Sequence, residues 1–159
     1  MILKRMKRRH SREDTIKICN KLKSARPELT FGADLIVGFP TENEEMFNDT
    51  LSLIGECDIT WLHIFPYSIR QGTPASKMPQ VEREIILQRA ESLRKSAAAR
   101  KKSHFLKLVN QRIAVLMETE FKGRSEDFAE IRVKKALVPG EIYHLKVYSF
   151  DSENLIASN

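Results

Sequence analysis

The sequence predicts an α/β fold with parallel strands, followed by a small β-barrel, and three observations support this prediction. Helical and strand-like segments alternate as helix, strand, helix, strand, helix over the first two thirds of the chain, which is typical of βα units. After about residue 110 the pattern changes to short strand-like segments separated by turns. Two parallel strands alone cannot close a barrel or bury both faces, so the α/β part over 1–109 looks truncated, and a small β-barrel domain is expected over 110–159.

Three helices are predicted in the first part. Ser11, followed by acidic residues in the next turn, caps a helix of roughly 11–25, which ends before Pro27. Thr41, with Glu44 three residues on, has the pattern of a capping box for a second helix. A third, long helix is predicted over about 81–109 from apolar residues at helical spacing.

The predicted strands differ between the two parts. Apolar runs at 33–38 and 61–65 indicate buried parallel strands. In the second part, short alternating segments predict strands, with turns at Gly123-Arg124-Ser125 and Pro139-Gly140; the segments are 113–117, 128–133, 142–148 and 154–157. Short strands at this spacing resemble a small antiparallel barrel of the oligonucleotide-binding (OB) type.

The net charge of +6 is unevenly placed along the chain. Residues 1–26 carry +8, 27–76 carry −7, 77–104 carry +5, and 105–159 are balanced. Clustered Lys and Arg residues favour a polyanionic partner such as RNA, because neutralised phosphates release counterions. The alternative is a set of solvated helix faces.

Cysteine and histidine usage argues against a metal site within the chain. Cys19 and Cys57 are far apart and form no CxxC pair, and the four histidines lack metal-ligand spacing. No apolar run approaches the roughly 20 residues that cross a bilayer, so we expect a cytoplasmic protein without a membrane partner.

Three ordered stretches carry a family resemblance. They are LKRMKRRHSRE at 3–13, DLIVGFPTE at 34–42 with Phe47 beyond it, and HIFPYSIRQGTPA at 63–75. Together they resemble the radical S-adenosylmethionine (SAM) tRNA methylthiotransferases, and most closely the branch that acts on threonylcarbamoyladenosine. The resemblance implies the second half of a TIM-like radical-SAM barrel, and, more weakly over 110–157, the TRAM domain of the family.

The resemblance also implies a partial SAM site at the carboxyl ends of the two strands, where ligands bind in α/β folds. Its predicted cofactor-binding residues are Gly38, Phe39, Pro40, Glu42, Phe65, Tyr67, Ser68 and Arg70. For Glu42 the alternative is support of the following helix, and for Arg70 it is an internal ion pair.

A tRNA partner, contacted at its anticodon stem-loop, is implied as well. Its predicted contacts are Lys4, Arg5, Arg8, Arg9, Arg132, Lys134 and Lys135. For the N-terminal group the alternative is a solvated or frayed terminus.

The family binds [4Fe–4S] clusters through cysteines, three of them in a CxxxCxxC loop, and two cysteines cannot supply such a set. We therefore expect a C-terminal fragment that has no catalytic residue of its own and is inactive alone, whether from a split gene, an internal start or a truncated product. The expected activity of the whole enzyme is methylthiolation of C2 of N6-threonylcarbamoyladenosine at position 37 of tRNA, and the missing N-terminal portion is a further expected partner. The alternative is a non-catalytic RNA-binding or degenerate remnant.

Overall fold

The computed structural model describes residues 2–158, so the terminal residues of the two predicted domains lie outside the described part. The chain divides into two compact units, the first ending at Arg100 and the second beginning at Lys101. This division falls within helix α4, Arg83–Leu108, which was predicted at about 81–109. The predicted domain boundary at residue 109 stays a prediction.

The first unit begins with helices α1, Ile2–Arg5, and α2, Arg12–Ala25. Ser11 caps α2 as the sequence predicted. Its hydroxyl accepts the Asp14 N–H at 3.1 Å, and the Asp14 carboxylate accepts the Ser11 N–H at 2.9 Å. This reciprocal pair satisfies two N–H groups that the first turn of a helix leaves open.

Two parallel strands, β1 (Phe31–Val37) and β2 (Ile59–Pro66), form the sheet of the first unit. Between them lies α3, Glu44–Glu56, which completes a βαβ unit. One face of the sheet packs against buried residues of the three longer helices and of the C-cap of α3: Cys19, Phe47, Ile54, Cys57, Ala90 and Leu93. Within the described residues this sheet has two strands, and the predicted half-barrel remains a prediction.

The predicted cap of α3 was wrong. The N-cap is Asn43, whose side chain accepts the Met46 N–H at 2.9 Å. Thr41 lies two residues earlier, with a φ of 72°. An N-cap needs an extended backbone, so the left-handed conformation of Thr41 moves the start of the helix onward.

The second unit is a closed barrel in which the strands follow the order β3-β4-β5-β7-β6. The strands are β3 (Arg112–Met117), β4 (Lys122–Ser125), β5 (Glu130–Val133), β6 (Ile142–Phe150) and β7 (Leu155–Ser158). Fully buried side chains fill its interior: Val115, Ile131, Leu145, Val147 and Leu155. This architecture is consistent with a TRAM-like or OB-like barrel.

Two details of the predicted barrel were wrong. Gly123-Arg124-Ser125 lies in strand β4 and not in a turn. A Cβ on Gly123 would come within 2.5 Å of the Leu116 carbonyl oxygen, so this glycine permits close approach of two strands. The barrel is also not wholly antiparallel, because β5 and β7 run parallel. Five strands in a closed ring cannot alternate in direction throughout, so at least one pair must be parallel.

None of the helices within residues 2–158 is long and apolar enough to cross a membrane.

Candidate functional site

The carboxyl ends of β1 and β2 lie side by side. Val37 and Pro66 are register partners, and the Tyr67 N–H donates to the Val37 carbonyl at 2.8 Å. The rings of Phe39 and Tyr67 meet edge to face, with centroids 5.4 Å apart. The structure thus brings the Gly-Phe-Pro turn and the Pro-Tyr turn together at one edge of the sheet.

The Gly-Phe-Pro turn is buried beneath the first turns of α4. Gly38 has a φ of 76°, and a Cβ at this position would lie 2.4 Å from Cγ1 of Ile86. Phe39 and Pro40 are buried as well. The turn therefore requires glycine both for its backbone conformation and for the approach of the helix.

Glu42 fixes this turn through two contacts. Its carboxylate accepts the Gly38 N–H at 2.9 Å and an Arg89 N–H at 2.8 Å. The Glu42 and Arg89 side chains are 6% and 8% exposed, so the ion pair is buried. Both contacts bind the carboxylate to the protein itself. A role of Glu42 toward a ligand stays a prediction.

Arg89 was not among the predicted site residues. Besides the Glu42 carboxylate, its guanidinium donates to the Glu42 carbonyl at 3.1 Å and to the Glu44 carboxylate at 3.1 Å. It also lies over the Phe47 ring, 5.3 Å from the centroid. One feature of the sequence could have indicated that Arg89 is buried: it lies on the same face of α4 as the apolar residues Ala90 and Leu93.

Three of the predicted cofactor-binding side chains are exposed at this edge. Phe65 is 51% exposed, and Ser68 and Arg70 are exposed. Arg70 forms no salt bridge to any residue from 2 to 158; its carbonyl accepts the Thr73 hydroxyl at 2.8 Å. The Tyr67 hydroxyl is buried and has no hydrogen-bond partner among the described residues. An exposed aromatic side chain, with a guanidinium five residues further along the chain, suits an adenosyl group with a carboxylate, so these residues fit SAM in part.

The second face of the sheet, opposite the helices, is open to solvent. Asp34 and His63 are register partners on it, as are Ile36 and Phe65. All four residues are exposed, Ile36 to 41%. This face combines apolar and ionisable side chains next to the edge that carries Arg70.

The predicted RNA-contacting residues fall into two groups, one in each unit. In the first, Lys4, Arg8 and Arg9 are exposed, and Arg5 donates a hydrogen bond to the Thr41 hydroxyl, just beyond the Gly-Phe-Pro turn. The second group comprises Arg132, Lys134 and Lys135, at the end of β5 and just after it, all exposed.

The two cysteines do not fit an iron–sulfur cluster. Cys19 and Cys57 are both buried. Burial and a hydrogen bond with Cys19 raise the pKa of the Cys57 thiol to about 11, so this thiol is protonated near neutral pH. In the part of the chain described, no three His, Cys, Asp or Glu side chains are grouped closely enough to hold a metal ion.

Curated proteins similar to this chain are tRNA-modifying enzymes. A threonylcarbamoyladenosine tRNA methylthiotransferase of Rickettsia prowazekii is 43% identical over 151 residues, covering 95% of this chain and 36% of the relative. A protein of the same name from Bacillus subtilis is 38% identical over 127 residues (79% and 28%). The tRNA-2-methylthio-N(6)-dimethylallyladenosine synthase of Geobacillus thermodenitrificans is 38% identical over 141 residues (86% and 26%).

The chain thus spans about a third or less of the length of these relatives. No family profile matches the chain.

Proposed function

Because this chain belongs to the radical-SAM tRNA methylthiotransferase family, we propose that it forms part of an enzyme that attaches a methylthio group to tRNA. The proposed target is C2 of N6-threonylcarbamoyladenosine at position 37, next to the anticodon. The observation that carries this proposal is the 43% identity over 95% of the chain to a relative named for that nucleoside.

A dimethylallyladenosine substrate is the competing assignment within the same family. The relative named for it is 38% identical over 86% of the chain, a lower value over a shorter stretch. The preference for threonylcarbamoyladenosine therefore rests on a difference of five percentage points in identity (43 against 38).

We propose that the edge formed by β1 and β2 is one wall of the SAM site. In this family SAM supplies the methyl group and radical chemistry. Phe65 and Tyr67 would hold the adenine, while Ser68 and Arg70 bind polar groups of the ligand. Glu42 keeps the turn of Gly38, Phe39 and Pro40 in place through its bond to the Gly38 N–H at 2.9 Å.

The chain contributes no cluster ligand in this proposal. Its two cysteines are buried, and the pKa of the Cys57 thiol is raised to about 11. We therefore propose that the chain is catalytically incomplete alone and needs cluster-binding residues from outside this sequence. The barrel and the N-terminal basic residues would hold the anticodon stem-loop.

The second candidate function is RNA binding without catalysis. It is favoured by the exposed cations of the barrel, Arg132, Lys134 and Lys135, which form no salt bridge with other described residues. Both candidates predict RNA binding, so RNA binding does not separate them.

Nucleoside mass spectrometry of tRNA separates the candidates. The gene encoding this chain is disrupted, and total tRNA is digested and analysed for methylthiolated nucleosides. Loss of 2-methylthio-N6-threonylcarbamoyladenosine, with the dimethylallyl nucleoside unchanged, is the expected result. The reverse pattern would contradict the substrate assignment, and two unchanged nucleosides would favour the non-catalytic candidate.

A further inference from the structure

The turn between β3 and β4 exposes an aromatic side chain. Phe121 is 50% exposed at the end of this turn, residues 118–121. Its carbonyl accepts the Val133 N–H at 3.0 Å, which fixes Phe121 beside the end of β5. The Glu120 carbonyl accepts the Leu137 N–H at 2.9 Å, so the segment after β5 is held against the same turn.

This position is one that five-stranded barrels use for nucleic acids. In OB-type barrels the second and third strands, together with the loop between the first and second, bind oligonucleotides. Their equivalents in the order found here are β4, β5 and the turn of Phe121. The backbone bond between Phe121 and Val133 joins the turn and the third strand.

Several cations lie close to Phe121, either next to it in the sequence or on the neighbouring strand. Lys122 follows it and is the register partner of Arg132, and Lys134 follows Val133. Of the nearby acids, Glu118 is bound to Arg124 at 2.9 Å and Glu130 to Lys122 at 2.7 Å. Glu120, directly before Phe121, is exposed and forms no salt bridge with any residue from 2 to 158, so it offsets one of the cations. Arg132, Lys134 and Lys135 are exposed and form no salt bridge with any residue from 2 to 158, so their charged groups are accessible to a ligand. The pKa of Asp151 is lowered by backbone hydrogen bonds and also by the charge of Arg132.

The other exposed phenylalanine of the barrel lies in different surroundings. Phe128 is 72% exposed in the turn after β4, with a φ of 66°. Its neighbours in sequence include Glu126 and Asp127, and its carbonyl accepts a hydrogen bond from Arg124, which is already paired with Glu118. Of these two exposed phenylalanines, Phe121 is therefore the one that lies close to cations without a salt bridge.

We propose that Phe121 stacks on an unpaired base of the bound RNA, while Arg132 and Lys134 hold the adjacent phosphates. This inference rests on the proposed function of the chain in tRNA binding. Every base has a π face, so stacking on an aromatic side chain contributes affinity without selecting a sequence. A base inside a duplex cannot present that face, so the barrel binds an unpaired segment of the RNA here.

Binding of the full chain to two RNA probes tests the inference: a hairpin with an unpaired loop containing 2-aminopurine, and a blunt duplex of the same composition. Phe121→Ala weakens hairpin binding by about ten-fold, within the range measured for base–aromatic stacking. Duplex binding changes little, and the fluorescence quenching that accompanies loop binding is lost. The slope of affinity against salt stays the same, because no phosphate contact is removed.

The matched control is Phe128→Ala, which removes an equally large and more exposed ring from the same barrel and leaves both affinities unchanged. Phe121→Leu keeps an apolar side chain at the turn and guards against a folding defect; it also loses quenching. Hairpin binding that is unaffected in both Phe121 variants, or lost equally in Phe128→Ala, overturns the stacking role alone. Failure of the unaltered chain to bind either RNA would instead contradict the proposed function in tRNA binding.

Discussion

At the scale of single residues, Arg89 connects three segments of the first unit. Its guanidinium binds Glu42 beyond β1, Glu44 at the start of α3, and the face of Phe47. Since Glu42 in turn accepts the Gly38 N–H, the position of the Gly-Phe-Pro turn depends on a residue of α4. The Arg89 Nε is buried without a partner among the described residues, so the guanidinium is held by its two terminal nitrogens.

Replacing Arg89 by Met should destabilise the first unit strongly. The Glu42 carboxylate would remain buried without its cation, and breaking a buried pair in this way typically costs about 3–5 kcal/mol. Urea denaturation followed by Trp61 fluorescence measures this loss, because Trp61 lies in β2 and is the chain's single tryptophan. Adding Glu42→Gln to the variant should recover part of the loss.

The matched control is Arg94→Met, because Arg94 is an exposed arginine on the same helix. It should change the free energy of unfolding by no more than about 0.5 kcal/mol. Equal effects of the two substitutions would show that the Arg89–Glu42 pair does not stabilise the turn.

The sequence identified residues whose role is set by their neighbours in the chain. Ser11 and its acidic partner three residues on were sufficient to predict the start of α2. Thr41 had a similar pattern, but its left-handed backbone, with the N–H donating to the Pro79 carbonyl at 3.1 Å, is imposed by the fold. Arg89 was missed for the same reason, since its partners lie 45 and 47 residues away.

At the scale of elements, continuous apolar runs predicted β1 and β2, and alternation predicted most barrel strands. The expectation that β1 and β2 are buried on both faces was wrong, because Asp34, Ile36, His63 and Phe65 are exposed on the face opposite the helices. Strand β4 was missed because it has four residues and contains Gly123, a residue that also marks turns. Only the approach of the Leu116 carbonyl shows why glycine is required there. The pairing of β5 with β7 depends on barrel closure, which no local pattern encodes.

The last turns of α4 are tied to the turn after β4 by a buried polar cluster. His104 Nε2 hydrogen-bonds one oxygen of the Asp127 carboxylate, and the Ser125 hydroxyl donates to the other. Burial alone would raise the pKa of Asp127, but the contacts with His104 and Ser125 outweigh it and hold the pKa below its usual value. Protonation of Asp127 therefore weakens the folded barrel.

Asp127→Asn should lower the stability of the barrel near neutral pH by about 1–3 kcal/mol, the effect expected for disrupting buried hydrogen bonds. Because the folded-state pKa is lowered, the wild-type advantage is present above about pH 4 and disappears as the pH falls through the folded-state pKa. The amide NMR signal of buried Ala129, followed in urea at several pH values, reports this unit.

Glu126→Gln is the control for this cluster, since Glu126 is an exposed acid in the same turn. This substitution should leave the difference in barrel stability between neutral and acidic pH unchanged. A wild-type advantage over Asp127→Asn that does not decrease at all as the pH is lowered through the acid range would contradict the role assigned to the carboxylate.

At the scale of the whole molecule, charge is distributed unevenly along the chain. Residues 27–76, which include the edge of Gly38 and Tyr67, carry −7, whereas residues 1–26 carry +8. In the balanced segment 105–159, the acids Glu118 and Glu130 are paired, while Arg132, Lys134 and Lys135 form no salt bridge with other described residues. If RNA binds to a defined group of cations, removing the same charge from different positions must change the salt dependence of RNA binding to different extents.

Lys134→Gln with Lys135→Gln should therefore reduce the slope of log affinity against log salt for a hairpin RNA by about 1.4, the value for two contacts with single-stranded phosphates. Lys17→Gln with Lys21→Gln removes the same charge from exposed positions of α2 outside the predicted RNA-contacting set, and it should leave the slope nearly unchanged. Filter binding or fluorescence anisotropy over a range of salt concentrations measures both slopes. Equal reductions in the two double variants would mean that the RNA responds to the net charge of +6 and not to a defined surface. If the slope changed less in the Lys134/Lys135 variant than in the Lys17/Lys21 variant, the phosphate contacts would have to be assigned to the first unit.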